Sequence, residues 1–438
     1  MSTPSSEQLH SPIALAVTDL TIDEIGDLSL WIGHGKRYRN VPNFVSDELC
    51  QRISTFPTDT AYLPSPSLPV MELLNFSTPL ISQSLRNIDP NSLFSHNKPT
   101  HKSFECLCLA APSRETLNAI RDCAGQAMLD GKVSIRHWDR DDIFLAFNAL
   151  GIWAFITEAI TAKNAWSGAL RWMNNNVIPS EYVHHVTSLL TTVPWKDNIK
   201  GLDSGLSVTD MAVFLSENWL TDDHIDSMLS AIVHLCHNAL SHLVPHTEIV
   251  TSDFAYHILT TPLLESPPTM HDYENKAPKL VLKLGSLVAN SPLGIRIATI
   301  SFSPPNHWAF LLVDCQTGTI AWRDSAGWAA PTGLEKRLKI WLGLFCPQTV
   351  FSALQALPCP RQTDGYSCGI CAINCLKHHL FGDKPWSKSQ REILRVSEFI
   401  DIMDISEHFR AKVSTSTVCS KLIISNEVYT TVISHGSC

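Results

Sequence analysis

The sequence has no long block of lysine or arginine, and its formal charge is −9. It therefore lacks the electrostatic footprint of a protein that grips a nucleic-acid backbone or an anionic membrane. Two short basic clusters, GKRYR (35–39) and EKRLK (335–339), read as solvated faces rather than import signals. No apolar run is long enough to cross a bilayer. The most apolar stretch, IFLAFNALGIWAFI (143–156), contains Asn148, follows the charged RHWDRDD and reads as a buried helix. The opening MSTPSSEQLHSP lacks the basic-then-apolar order of a secretory signal. Thirteen cysteines, an odd number scattered over a long chain, fit a reducing compartment, nucleus or cytoplasm. The expectation is no membrane, no direct nucleic-acid partner and no internal repeat.

What is present is ample core. The chain has 438 residues, 44% of them hydrophobic, enough for two or three domains. Residues 1–15 are rich in serine and proline and read as disordered, and FPTDTAYLPSPSLPV (56–70) reads as a loop because its prolines break either regular structure. From Arg114 to Met173 the pattern is mostly helical, with a cap at Ser113 and with Trp153, Trp166 and Trp172 as core aromatics. Residues 16–200 thus form a mainly helical region with no motif that assigns it a role.

Polar and glycine residues at 193–207 mark a boundary, beyond which the chain reads as an α+β domain over 205–410, followed by a tail at 411–438. A helix capped at Thr221/Asp222 carries Ile225, Met228, Leu229, Ile232 and Leu235 at helical spacing. Strand-like runs IRIATISF, HWAFLLVDC and TIAWRDS follow, the last two joined by a turn at 316–318. That pair predicts a hairpin with His307 at its start and Asp324 at its end.

The densest chemistry lies in PCPRQTDGYSCGICAINCLKHH (358–379). Ile370, Ile373, Leu376 and Leu380 recur with helical spacing, so Cys368 falls at a helix N-terminus, where partial positive charge and unpaired N–H groups stabilise a thiolate. Gly365, in TDGYS, is expected to turn the chain into that helix. A cysteine nucleophile also needs a base, a group to orient the base and a second oxyanion donor. His307, Asp324 and Gln362 are candidates. A zinc site drawing on Cys359, Cys368, Cys371 and Cys375 with His378 or His379 is the competing reading, but it lacks a second knuckle and would put Cys371 and Cys375 inside one helix. A thioredoxin-like Cys368/Cys371 pair lacks its βαβ setting.

Five spaced elements, NWLTDDHIDSML, NHWAFLLVD, WRDSAG, PRQTDGYSCGI and PWSKSQREILRVSEFIDIM, together resemble the ubiquitin-like protein proteases, the SUMO-protease family of cysteine peptidases. The resemblance covers about 206–410 and implies a papain-like domain, a central mixed sheet flanked by helices. It implies Cys368 as nucleophile, His307 as general base, Asp324 as orienting carboxylate and Gln362 in the oxyanion hole. It further implies that Trp219 and Trp308 line a channel for the Gly-Gly end of SUMO or another ubiquitin-like modifier, that Asp222 grips the modifier's body, and that neither cofactor nor metal is required. Two positions depart from the family pattern: Thr221 replaces an Asn, and Ser367 stands where many members have Asp. The alternative is a modifier-binding scaffold whose peptidase domain has lost turnover.

Overall fold

The computed structural model describes residues 63–81, 89–101, 110–202, 205–239, 247–266, 269–291, 294–303 and 307–433. The serine/proline-rich opening and GKRYR lie outside them. The chain divides into two compact units, 1–164 and 165–438.

In the first unit, α1 (Val70–Asn75) and β1 (Phe94–Ser95) precede α2 (Arg114–Leu129), β2 (Ser134–His137), β3 (Arg140–Leu145) and the start of α3 (Ala149–Asn175). Ser113 caps α2 by accepting the Thr116 N–H at 3.3 Å. The strands form an antiparallel sheet in the order β1-β2-β3. The small sheet was not expected from the sequence, but it sits within a region that is otherwise mainly helical. Within 143–156, the single buried helix expected there is corrected: Ile143, Leu145 and Phe147 are buried alternately, the period of a strand edge, and only from Ala149 does the burial turn helical. Two periodicities share one apolar run.

In the second unit, α4 (Ser180–Leu190), α5 (Asp222–Ala239), β4 (Thr247–Ile249), α6 (Asp253–Thr260), α7 (Met270–Lys276) and α8 (Lys279–Ala289) lead into β5 (Arg296–Ser303), β6 (His307–Asp314) and β7 (Thr319–Arg323). Then come α9 (Leu334–Phe345), β8 (Gln355–Ala356), α10 (Cys368–Phe381) and α11 (Arg391–Ile433). This unit begins at residue 165 rather than near 205 because the intervening stretch is tied to α11. His185 Nε2 meets Asp404 Oδ1 at 2.9 Å, the Lys200 N–H donates to Ser406 Oγ at 2.9 Å, and Arg410 Nε reaches Asp197 Oδ2 at 3.1 Å. The expected tail at 411 is likewise not a break, since α11 continues to Ile433.

The sheet is mixed, in the order β4-β5-β6-β7-β8, with parallel outer pairs and antiparallel inner ones. All eight residues of β6 are buried. Ala309, Leu311 and Val313 join the core made with α6, α8 and α9, where Phe254, Leu284 and Trp341 are buried. Phe310 alternates to the other face and meets His379 of α10 at 6.2 Å between rings. A strand covered on both faces cannot slip without moving every apolar side chain to the wrong side. The hairpin turn expected at 316–318 is present, with Gly318 at φ 69° and Asp314 Oδ1 accepting the N–H groups of Gln316 and Thr317.

Arg395 of α11 is fully buried. Its guanidinium donates to three backbone carbonyls before Trp219: Phe214 at 2.9 Å, Val213 at 2.7 Å and Asn218 at 2.9 Å. Burial away from any paired carboxylate pushes its pKa down to about 10. Replacing it leaves those carbonyls without donors, so Arg395→Met is expected to lower unfolding free energy by about 3 kcal/mol or more, read by urea denaturation. A loss within experimental error would show that the 213–218 segment is held by other contacts.

Candidate active site

His307 is the first residue of β6, and Asp324 directly follows β7, so antiparallel pairing brings both to one end of the hairpin. Both are buried, and His307 Nε2 stands 3.0 Å from Asp324 Oδ2. The distance is that of an ion pair, but the two atoms are not aligned as a hydrogen bond, a slack common in substrate-free sites. The other carboxylate oxygen is committed to the turn: Asp324 Oδ1 accepts the N–H groups of Ala326 at 2.8 Å and Trp328 at 3.1 Å. Gly327 takes φ 76°, and the Arg361 guanidinium lies where a Cβ would be. Only glycine closes this turn.

Cys368 is the first residue of α10 and is buried. The chain reaches it through a turn organised by Asp364. Its Oδ1 accepts the N–H groups of Tyr366 at 3.0 Å and Ser367 at 2.8 Å, and its Oδ2 accepts the Ser367 hydroxyl at 2.9 Å and faces Arg391 Nη1 at 3.3 Å. The expectation that Gly365 makes this turn is therefore corrected, for Gly365 has no left-handed φ and open space around it. Gly369 matters more. A Cβ there would lie 3.0 Å from Ile225 and 3.3 Å from Leu220, so its absence lets α10 settle against α5 and the strand-like lead into it.

The electrostatics favour a charged imidazole. Burial opposes the imidazolium, but the close approach of Asp324 and of Cys368 outweighs it and pushes His307 up to about 9. Asp324 moves the opposite way. Burial raises its carboxyl, yet His307 and the turn N–H groups hold it below its ordinary value.

Gln362 is fixed beside this group. Its Oε1 accepts the Ser325 hydroxyl at 2.5 Å, its Nε2 donates to the Asp364 carbonyl at 2.8 Å, and its own N–H donates to the Ser325 carbonyl at 3.1 Å. An amide nitrogen carries two hydrogens, so one remains for a substrate oxygen.

The structure brings Trp219 and Trp308 together but leaves no channel between them. Their rings stack at 5.3 Å and 15°, and Phe302 abuts both edge-on. A peptide between parallel rings needs them about 7 Å apart, twice a van der Waals contact. Trp308 is fixed by donating from Nε1 to the Leu220 carbonyl at 2.7 Å. Asp222 is exposed at the first position of α5 and takes no part in this constellation. The cap there is Thr221, whose hydroxyl and N–H both face Nδ1 of buried His224, at 2.6 and 3.3 Å.

Three contributors escape a reading by motif alone. Trp328, 44% exposed, lies over His307 at 4.6 Å between ring centroids. Ser325 orients Gln362, and Asp364 shapes the nucleophile turn. Ser325 and Asp364 sit inside quoted motifs and Trp328 directly follows one, yet the part each plays depends on where the two turns meet in space. The four cysteines of the zinc reading do not converge: Cys368 faces His307, whereas Cys359 faces Cys375 with sulfurs 3.4 Å apart. Among the described residues no three His, Cys, Asp or Glu side chains form a metal-sized cluster.

No family model and no curated protein matches the chain. Among solved structures, it is similar to the SUMO protease Ulp1 with its catalytic cysteine oxidised to a sulfinic acid, at 17% identity over 52% of this chain and 97% of that one, with a TM-score of 0.39. It is also similar to the C-terminal Ulp1 protease domain in complex with Smt3, the yeast ortholog of SUMO, at 19% identity over 53% and 99% with a TM-score of 0.35. A third is the Chaetomium thermophilum Ulp1-like SUMO protease catalytic domain, at 17% over 52% and 90% with a TM-score of 0.35.

Because its partners raise the His307 pKa, their stabilising effect is complete below its ordinary 6.5 and disappears as pH rises through about 9. The imidazole C–H resonance of His307 should therefore titrate with a midpoint near 9, and Asp324→Asn should move that midpoint down towards 6.5. A wild-type midpoint below 6.5 would mean that burial, not the carboxylate, governs the ring.

Proposed function

We propose that the chain is a cysteine-type peptidase that cleaves after the C-terminal Gly-Gly of SUMO or another ubiquitin-like modifier, in deconjugation, precursor processing or both. The observation that carries the reading is the buried His307 ring set between Asp324, at 3.0 Å, and the Cys368 thiol. With its pKa near 9, His307 holds a proton at neutral pH beside the Cys368 sulfur. The thiolate attacks the terminal glycine carbonyl. The oxyanion is held by the Cys368 N–H, which a first helical position leaves without an intrahelical acceptor, and by the free N–H of Gln362. His307 then protonates the departing lysine amine, and water, deprotonated by the same ring, releases the thioester. Asp324 keeps the ring oriented and compensates its charge.

The modifier class rests on the sequence resemblance of the Trp219, Trp308 and Asp222 segments. The stacked indoles favour a second reading, a modifier-binding protein without turnover, unless substrate separates the rings.

Modifiers carrying a C-terminal electrophile decide between the two. SUMO, ubiquitin and related probes should include one that forms a covalent adduct with the wild type and none with Cys368→Ala. Tight binding of a modifier without an adduct would favour the second reading. On a cleavable substrate, Cys368→Ala is expected to reduce turnover by about 10⁴-fold or more, and Gln362→Ala by about 10²-fold.

A further inference from the structure

Two thiols outside the site just described are placed for chemistry of their own. Cys359 lies in the segment between β8 and Gln362, and Cys375 lies on α10 two turns beyond Cys368. Both are free, and their sulfurs are 3.4 Å apart. A disulfide needs about 2.05 Å, a closure within reach of side-chain rotation. The pair borders a cavity of about 440 Å³ lined by Arg323, Cys359, Asn374, Cys375, His378 and Pro385 among others. The buried Nε of Arg323 has no hydrogen-bond partner.

The surroundings make the two thiols unequal. The Cys359 S–H and the Arg323 guanidinium lower the Cys375 pKa against the effect of burial, while contact with Cys375 and burial raise that of Cys359. Cys371, one turn away on the same helix, is held neutral chiefly by burial. With the Arg323 guanidinium beside Cys375 on the rim of the shared cavity and Cys359 3.4 Å away, Cys375 is assigned as the nucleophile of the pair and Cys359 as the thiol that resolves it.

We propose that Cys359 and Cys375 form a peroxide-reactive thiol pair, distinct from Cys368, that closes to a reversible disulfide. The Cys375 thiolate attacks one oxygen of a hydroperoxide, the O–O bond breaks, and the departing oxygen leaves as water or alcohol after protonation. Cys375 is then a sulfenic acid. The Cys359 sulfur attacks it, the S–O bond breaks, and hydroxide takes the Cys359 proton to leave as water. One peroxide is reduced and two thiols are oxidised. The new bond joins positions 16 apart in sequence and encloses Gln362, Asp364 and Cys368, stapling the loop that carries them to α10.

The test treats the full chain, both wild type and Cys368→Ala, with one equivalent of hydrogen peroxide, alkylates the remaining thiols and maps them by mass spectrometry. Both proteins should give a peptide cross-linked between Cys359 and Cys375, and dithiothreitol should abolish it. Cys359→Ser should instead trap Cys375 as a dimedone-reactive sulfenic acid, and Cys375→Ser should leave Cys359 alkylated. Free Cys359 and Cys375 at a peroxide dose that oxidises other cysteines, or a cross-link through Cys371, would overturn the proposal. So would the absence of a dimedone adduct at Cys375 in Cys359→Ser, which keeps the test decisive even if Cys375→Ser does not fold.

Discussion

The burial of β6 on both faces is the constraint on which the second unit depends. Its eight residues are fixed by pairing with β5 on one edge and β7 on the other, by the α6, α8 and α9 core beneath, and by α10 above. His307 heads this strand and inherits its rigidity. Asp324 inherits it through the hairpin and Cys368 through the helix laid across the sheet. The three side chains thus meet at the ends of packed elements, the preorganisation that the proposed acyl-transfer chemistry would need.

Long helix α11 supplies a second layer of positioning with two arginines, one buried and one partly so. Arg395 fastens the backbone before Trp219, and Arg391 faces Asp364 in the turn before Cys368. Both guanidinium groups lie near the Tyr366 ring, at 5.3 Å for Arg391 and 5.7 Å for Arg395. Further along, Lys377 of α10 reaches Glu398 at 2.7 Å and Asp401 at 2.9 Å, tying α10 to α11. Burial opposes the Lys377 charge, but the two carboxylates more than compensate and raise its pKa. One helix therefore ties the segment before Trp219 to the turn before Cys368 and to α10.

Much of this was legible from residue order. Strand-like apolar runs identified β5, β6 and β7, the glycine-bearing turn identified the hairpin, and helical spacing after Cys368 identified α10. Three expectations failed where local pattern was ambiguous. Residues 143–156 are apolar apart from Asn148, and apolarity without a single period does not distinguish a strand followed by a helix from one helix. The boundary near 200 was drawn at a polar stretch, yet Asp197 and Lys200 face α11 and belong to the unit that follows. The turn into α10 was assigned to Gly365 by residue type, whereas an Asp364 side chain capping two N–H groups makes it.

Sequence by itself determined the kinds of residue available and their order: a cysteine at a helix start, a histidine and an aspartate at opposite ends of a hairpin, a glutamine just upstream, and indoles in two separated motifs. These follow from short-range periodicity and turn chemistry, which act over a few residues. Tertiary structure alone decided the relations that span tens to hundreds of positions. Trp328 lies over His307, Arg395 reaches back to Phe214, the Trp219 and Trp308 rings stack closed, and Cys359 meets Cys375. Such contacts arise when sheet and helices pack together, and no local pattern encodes the distance between side chains that meet only then.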